Sequence, residues 1–167
     1  LDSILSPQHI LCLGAHCDDI EIGCGATLLK LTEKNPEIKI TWVVFTSNEQ
    51  RKQEAEAGAQ LFAGKAKHLD IEIYNFRDGF LPYEGIAVKE AFEKLKQRCQ
   101  PDLIFTHYRD DLHQDHAKIS ELTWNTFRSH LILEYEIPKW DGDLGQPNCF
   151  VPIERATAQQ KIDLLQQ

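Results

Sequence analysis

Residues 11–28 read LCLGAHCDDIEIGCGATL. An apolar run from Leu11 to Ala15 gives way to His16, Cys17, Asp18, Asp19, Ile20 and Glu21. The run suits a strand buried on both faces, and a helix is expected to begin near Gly23. Between them, one histidine and three carboxylates crowd into six residues. Acidic groups this close repel one another, and a bound cation is the simplest compensation. A His and an Asp on a turn supply nitrogen and oxygen ligands suited to zinc or another divalent metal. A further carboxylate beside the metal can take a proton from water. The alternative is an Asp-rich turn that caps the following helix. The segment by itself does not choose between them.

Apolar, β-branched runs recur along the chain at 39–47 (KITWVVFTS), 69–76 (LDIEIYNF), 102–107 (DLIFTH) and 130–137 (HLILEYEI), after the first at 9–15. Helical periodicity fills the gaps. Val88, Phe92, Leu95 and Cys99 share one face, and Pro101 ends that helix. The segment EQRKQEAEAGAQLFAG is rich in helix formers and stops at Gly64. Ile119, Leu122 and Thr126 or Phe127 form another stripe. Strands alternating with helices predict an α/β fold, Rossmann-like, in three layers with a mostly parallel sheet. The 167 residues are expected to form one domain. The stretch 138–152 is rich in turn residues and reads as a long loop.

In such sheets ligands bind beyond the carboxyl ends of the strands. The HCDD turn follows the first strand there. A second cluster, HYRDDLHQDH, follows the fourth and holds His107, His113 and His116 with Asp110, Asp111 and Asp115. His113 and His116 are three residues apart and face one centre if a helix starts there. Two histidines and one aspartate leave a metal with an open position, which is the catalytic arrangement. Metal-assisted hydrolysis is the chemistry this points to. The same residues also suit a two-metal phosphoesterase, with Asp110 and Asp111 as extra ligands, and metal stoichiometry separates the two. A binder without turnover is the third reading.

Composition narrows the classes. The formal charge of −8, from 18 basic and 26 acidic residues, argues against nucleic acid or an anionic membrane as partner. No apolar run approaches the roughly 20 residues that span a bilayer, so no integral membrane segment is expected. Five cysteines, odd in number and without a CxxC pair, suggest neither a disulfide framework nor a thiolate zinc site, and a reducing cytoplasm is the expected location. The chain has no methionine, even at position 1, which suggests an incomplete or processed chain. A homo-oligomer is expected on general frequency alone. The GCGATL segment lacks the third glycine of a dinucleotide fingerprint and follows acidic residues, so that reading is rejected.

AHCDDIEIGCGATL together with HQDH resembles the PIG-L/LmbE family of zinc-dependent de-N-acetylases, whose members carry an AHPDDxE-like motif and a later HPDH-like motif. RKQEAEAGAQLFAG and FRDGFLP are similar to segments between those motifs, so the likeness spans most of residues 10–120. The resemblance implies a hydrolase that removes an N-acetyl group from a GlcNAc-type sugar or sugar conjugate, releasing acetate and a free amine. It implies one zinc held by His16, Asp19 and His116. Asp18 would be the general base and His113 would stabilise the oxyanion or protonate the leaving amine. Asp115 would orient His113 and favour its charged form. Arg51 would contact the sugar and Asp78 a substrate hydroxyl. Three positions depart from the pattern. Cys17 and Gln114 replace prolines, and Ala26 replaces a glycine; none removes a proposed ligand or base. Cys17 is read as filling space rather than adding a soft ligand.

Tyr108 and Arg109, between the second strand-end histidine and the later motif, are candidates for hydrogen bonds to substrate. His107 is a candidate for support behind the ligands. His9, His68 and His130 lack acidic neighbours at useful spacing and read as surface or core residues. Trp42 and Trp124 read as core. Trp140, in the long loop, either stacks on a sugar or packs back on the domain.

Overall fold

The computed structural model describes residues 6–166. Five strands alternate with helices: β1 His9–Gly14, α1 Asp19–Lys34, β2 Lys39–Thr46, α2 Glu49–Ala63, β3 His68–Phe76, α3 Gly85–Arg98, β4 Leu103–His107, α4 Gln114–Thr126, β5 Leu131–Tyr135 and α5 Arg155–Leu165. All pairings are parallel, in the order β3-β2-β1-β4-β5. The order reverses between β1 and β4, so the crevice at the switch point opens between the two strands that the histidine clusters follow.

Successive residues of the central strands point to opposite faces, and each face builds its own core. Ile10 and Cys12 of β1 and Ile40, Trp42 and Val44 of β2 pack under α1 and α2 with Leu28, Ala59 and Phe62. Leu11, Leu13, Val43 and Phe45 point the other way, onto Val88, Phe92 and Leu95 of α3 and Ile119 and Leu122 of α4. Burial of each such side chain stabilises by about 1.5–3 kcal/mol. This is the expected three-layer α/β fold, with the α3 and α4 stripes turned inward. Asn48 caps α2, its side-chain oxygen accepting the Arg51 N–H at 2.9 Å.

Three details differ from the sequence reading. The first helix starts at Asp19, not near Gly23, because the turn after β1 is only four residues long. Trp124 is not core: it lies off the Ile119–Leu122–Thr126 stripe, is partly exposed, and donates its Nε1–H to Glu134. The last helix, α5, buries only Thr157 and has too weak an apolar stripe to have been foreseen. The loop at 138–152 is irregular as expected, and Trp140 within it is fully exposed rather than packed back. Among the described residues, no helix is long and apolar enough to cross a membrane.

Candidate active site

The turn after β1 sends its three carboxylates to three places. Asp19 turns inward and is buried; its Oδ2 accepts the His16 N–H at 2.6 Å and closes the turn. Asp18 stays exposed, and Arg51 Nη2 lies 3.8 Å from its Oδ1. Asp18 is the N-cap of α1 by position, yet among the described residues its side chain makes no capping hydrogen bond. The capping alternative therefore leaves its carboxylate unexplained. Glu21 is buried on the α2 side, where Gly58 leaves room for it. Burial, with the charges of Asp18 and Asp19, pushes its carboxyl up to about 8. A proton on Glu21 at neutral pH relieves the repulsion that the sequence raised.

The second cluster meets the first across the switch point. His113 is the N-cap of α4, and its Nδ1 accepts the Asp115 N–H at 3.3 Å. His116, in the first turn, brings Nε2 to 3.1 Å from His16 Nδ1 and 3.4 Å from Asp19 Oδ1. His16 Nδ1 is 3.4 Å from Asp19 Oδ2. Bonds of about 2.1 Å to a tetrahedral ion place ligand atoms about 3.4 Å apart. The two histidine nitrogens lie near that spacing, and the Asp19 carboxylate turns a different oxygen to each, Oδ2 to His16 and Oδ1 to His116.

Each imidazole is also backed by carboxylate. His116 Nδ1–H donates to Asp111 Oδ2 at 2.9 Å. His16 Nε2 lies 3.1 Å from Asp78 Oδ1 and 3.3 Å from Asp115 Oδ2. When both rings are neutral, protons on these far nitrogens leave the near lone pairs facing Asp19, with acceptors only between the three side chains. A cation fits that donor set. Without an ion, protons take its place at the rings. Burial alone would lower the His16 pKa, but hydrogen bonds to Asp115 and Asp19 and the charges of Asp19 and Asp78 hold it up at about 10. Burial is likewise outweighed at His116, raised by Asp111 and Asp19. Burial would raise Asp19, yet His107, His116 and His16 hold it well below the usual carboxylate range.

The sequence reading expected Asp115 to orient His113; the Asp115 backbone N–H reaches that ring, but its carboxylate does not. Its oxygens accept the Gly79 N–H at 2.6 Å and the Leu81 N–H at 3.1 Å, and one faces His16. An aspartate in a helix's first turn points back toward the neighbouring loop rather than toward the residue two before it. Gln114 Nε2–H adds a bond to Gly79 O at 2.6 Å. Together they pin the loop after β3, whose bend uses the positive φ of Gly79, and so deliver Asp78 to His16. Arg51, Asp78, His16 and Cys17 line one cleft of about 270 Å³, with Asn48, Asn75 and Arg77. Cys17 is buried there, its Sγ 3.6 Å from Thr46 O, in keeping with a space-filling thiol.

Tyr108 and Arg109 lie elsewhere. They line a larger cavity, about 640 Å³, along edge strand β5. Tyr108 OH donates to Asp110 Oδ2 at 3.2 Å. Arg109 pairs with Glu134 at 3.0 Å and stacks over Trp124 at 4.4 Å. The smaller cleft, not the larger cavity, is lined by a histidine of the cluster, His16. Asp111 was missed as a support: it carries His116 and is itself held by Lys139 at 2.9 Å. Its only sequence signal was a place five residues before His116. His107, fully buried, touches both Asp19 and His116. Burial lowers its pKa more than Asp19 can raise it.

Three comparisons bear on this arrangement. A family profile described as PIG-L, GlcNAc-PI de-N-acetylase, matches residues 11–127. The chain is 30% identical over 151 residues to the protein named uncharacterized deacetylase YaiS from Escherichia coli K12, covering 83% of this chain and 78% of that one. N,N'-diacetylchitobiose deacetylase from Pyrococcus horikoshii superposes with a TM-score of 0.71 at 24% identity, over 96% of this chain and 69% of that one. The 4-carboxy-2-hydroxymuconate hydratase GalB from Pseudomonas putida KT2440 superposes with a TM-score of 0.75 at 15% identity, over 95% of this chain and 78% of that one. These superpositions show the shared fold, and a hydratase among them means that the fold does not choose the reaction.

Proposed function

The chain belongs to the PIG-L family of de-N-acetylases, and from that premise we propose that it hydrolyses the N-acetyl group of an N-acetylated sugar or sugar conjugate of the GlcNAc type. The observation that carries this is the meeting of His16 Nδ1 and His116 Nε2 at 3.1 Å, each 3.4 Å from one oxygen of the Asp19 carboxylate, beside a polar cleft that His16 lines. Those three residues would hold one divalent cation, zinc in our reading, which when bound supplies a Lewis acid for the acetyl carbonyl and lowers the pKa of a water.

The protein's own groups carry the rest. Asp18, uncommitted to capping and adjoining Asp19, accepts a proton from the attacking water. Arg51 restrains its carboxylate from one side. His113 offers Nε2–H: burial and the charges of His116 and His16 lower its pKa, and Nδ1 is already an acceptor. That N–H stabilises the oxygen that gains charge as the carbonyl carbon becomes tetrahedral. The proton taken by Asp18 then passes to the nitrogen as the C–N bond breaks, giving acetate and amine. Asp115 keeps the His16 ring in place from behind and holds the loop that presents Asp78. Asp78, exposed in the cleft, is free to exchange His16 for a sugar hydroxyl, and Arg51 reaches the same space.

A phosphoesterase with two metals is less well supported. Asp111 is engaged by His116 and Lys139, and Asp110 by Tyr108. The His16–Asp78–Asp115 grouping is the carboxylate support expected behind a metal-bound imidazole.

The test is acetate release across a panel of N-acetylated sugars and conjugates, with the protein zinc-loaded, then chelated. Release that disappears with the metal and returns on reloading is expected. Release that is indifferent to chelation, or phosphate release with two metals per chain, would overturn the proposal.

A further inference from the structure

We infer that His107 is a positioning residue for Asp19 and His116 and is not itself a metal ligand; the inference rests on the metal-binding reading above. His107 is the last residue of β4 and is fully buried. Its Nε2 accepts the Ala15 N–H at 3.0 Å and lies 3.1 Å from Asp19 Oδ2. Its ring stacks on that of His116, with centroids 4.0 Å apart and planes 14° off parallel. The Tyr135 ring walls it at 4.9 Å, and the Tyr135 hydroxyl donates to Leu13 O at 2.7 Å.

On distance alone, His107 could pass for a ligand, since Asp19, His107 and His116 offer atoms within 4.8 Å of one another. The hydrogen bond decides otherwise. An imidazole nitrogen has one in-plane lone pair, and at Nε2 the Ala15 N–H occupies it. The ring proton of the neutral form is then on Nδ1, which has no partner among the described residues. A buried donor left without a partner is a desolvation cost that an apolar ring of the same shape would avoid. Packing alone therefore does not account for a histidine here.

What the imidazole does account for is the joint between the two strand ends. Successive amides of the HCDD turn each take one acceptor: Ala15 N–H takes His107, and His16 N–H takes Asp19 Oδ2 at 2.6 Å. By accepting the Ala15 N–H, Nε2 fixes the start of the turn that carries His16 and Asp19. The stacked ring sets the plane in which His116 presents Nε2. His107 thus supports the proposed ligands from behind, Asp19 through the turn that carries it and His116 through the stacked ring.

The experiment measures the zinc dissociation constant, by competition with a chromophoric chelator, together with thermal melting of the metal-free protein. Parent, His107→Phe and His107→Gln are compared. Phenylalanine keeps the ring and its stack, removes the Nε2 acceptor and the unpartnered Nδ1–H, and leaves Ala15 N–H unpartnered instead. One loose donor replaces another, so the metal-free melting temperature is expected to change little. Zinc affinity is expected to fall roughly 10–100-fold. Glutamine, whose amide oxygen can accept from Ala15 but cannot stack, is expected to fall between Phe and parent. Variants that bind zinc as tightly as the parent would overturn the role. So would losses of affinity that simply track a fall in metal-free melting temperature, the mark of a packing residue. If the Phe variant does not fold, the Gln variant decides: a constant weakened roughly threefold or more upholds the role, and an unchanged one overturns it. A parent that binds no zinc overturns the metal reading itself, whatever the variants do.

Discussion

Two hollows open on opposite flanks of the sheet's carboxyl edge. The one beyond the ends of β1, β2 and β3, beside the start of α2, is small, about 270 Å³, and is lined by His16, Arg51 and Asp78. The one along β5 is more than twice as large, about 640 Å³, and holds Arg109, Trp124 and Tyr108. The difference lies in how their polar groups are committed. Along β5 the charges satisfy each other: Arg109 pairs with Glu134, and Tyr108 with Asp110. At the His16 wall of the smaller cleft, the near nitrogens of His16 and His116, when neutral, face the Asp19 carboxylate with acceptors only. Converging acceptors, not volume, mark the flank where a cation and a reaction fit.

The sharpest break of that contrast comes from the ligands. Asp19→Asn and His116→Ala are each expected to lose zinc and, with it, acetate release to below detection; elemental analysis alongside the assay reads both. Chelation of the parent should lower its melting temperature on the order of 10 °C if zinc is at about a thousand times its dissociation constant. A calorimetric scan with and without chelator shows this, and an unchanged melt would mean that the acceptors are satisfied without an ion.

Asp111→Asn probes the support behind one ligand. It should weaken zinc binding roughly 10–100-fold with smaller change to the metal-free fold. Gly23→Ala moves the test to the β5 flank. A methyl there would overlap the Tyr135 ring, with an expected loss of about 1–3 kcal/mol in chemical denaturation and little change in zinc stoichiometry. The smallest effect is expected at Arg109→Gln. Its exposed ion pair with Glu134 contributes at most about 1 kcal/mol, and kcat/KM should stay within about twofold. A large loss of kcat/KM there would erase the distinction between the flanks.

How far the sequence could be read follows the same division. The five strands were visible because central parallel strands are apolar on both faces, and Ile10 to Leu13 and Ile40 to Phe45 are buried throughout. That His16, Asp19 and His116 come together was visible because they follow the ends of two neighbouring strands. Which carboxylate serves which histidine was not visible. Asp110, Asp111 and Asp115 are alike in composition, and only the fold turns one to Tyr108, one to His116 and one to His16 and the Gly79 loop. Tyr108 and Arg109 looked like site residues because they lie between site residues in the chain. The turn after His107 carries them to the other flank. Trp124 misled through hydrophobicity, since an indole can cover an arginine at the surface as readily as fill a core.

In the proposed reaction adjacent aspartates divide the labour, the buried Asp19 holding the ion and the exposed Asp18 moving the proton. The measurement that tests it most directly is acetate released per bound zinc, for the parent and Asp18→Asn, on the best substrate of the panel. The account predicts one zinc per chain in both and a turnover roughly a hundredfold or more lower in the variant. Equal turnover at equal zinc would remove Asp18 from the chemistry and contradict the account.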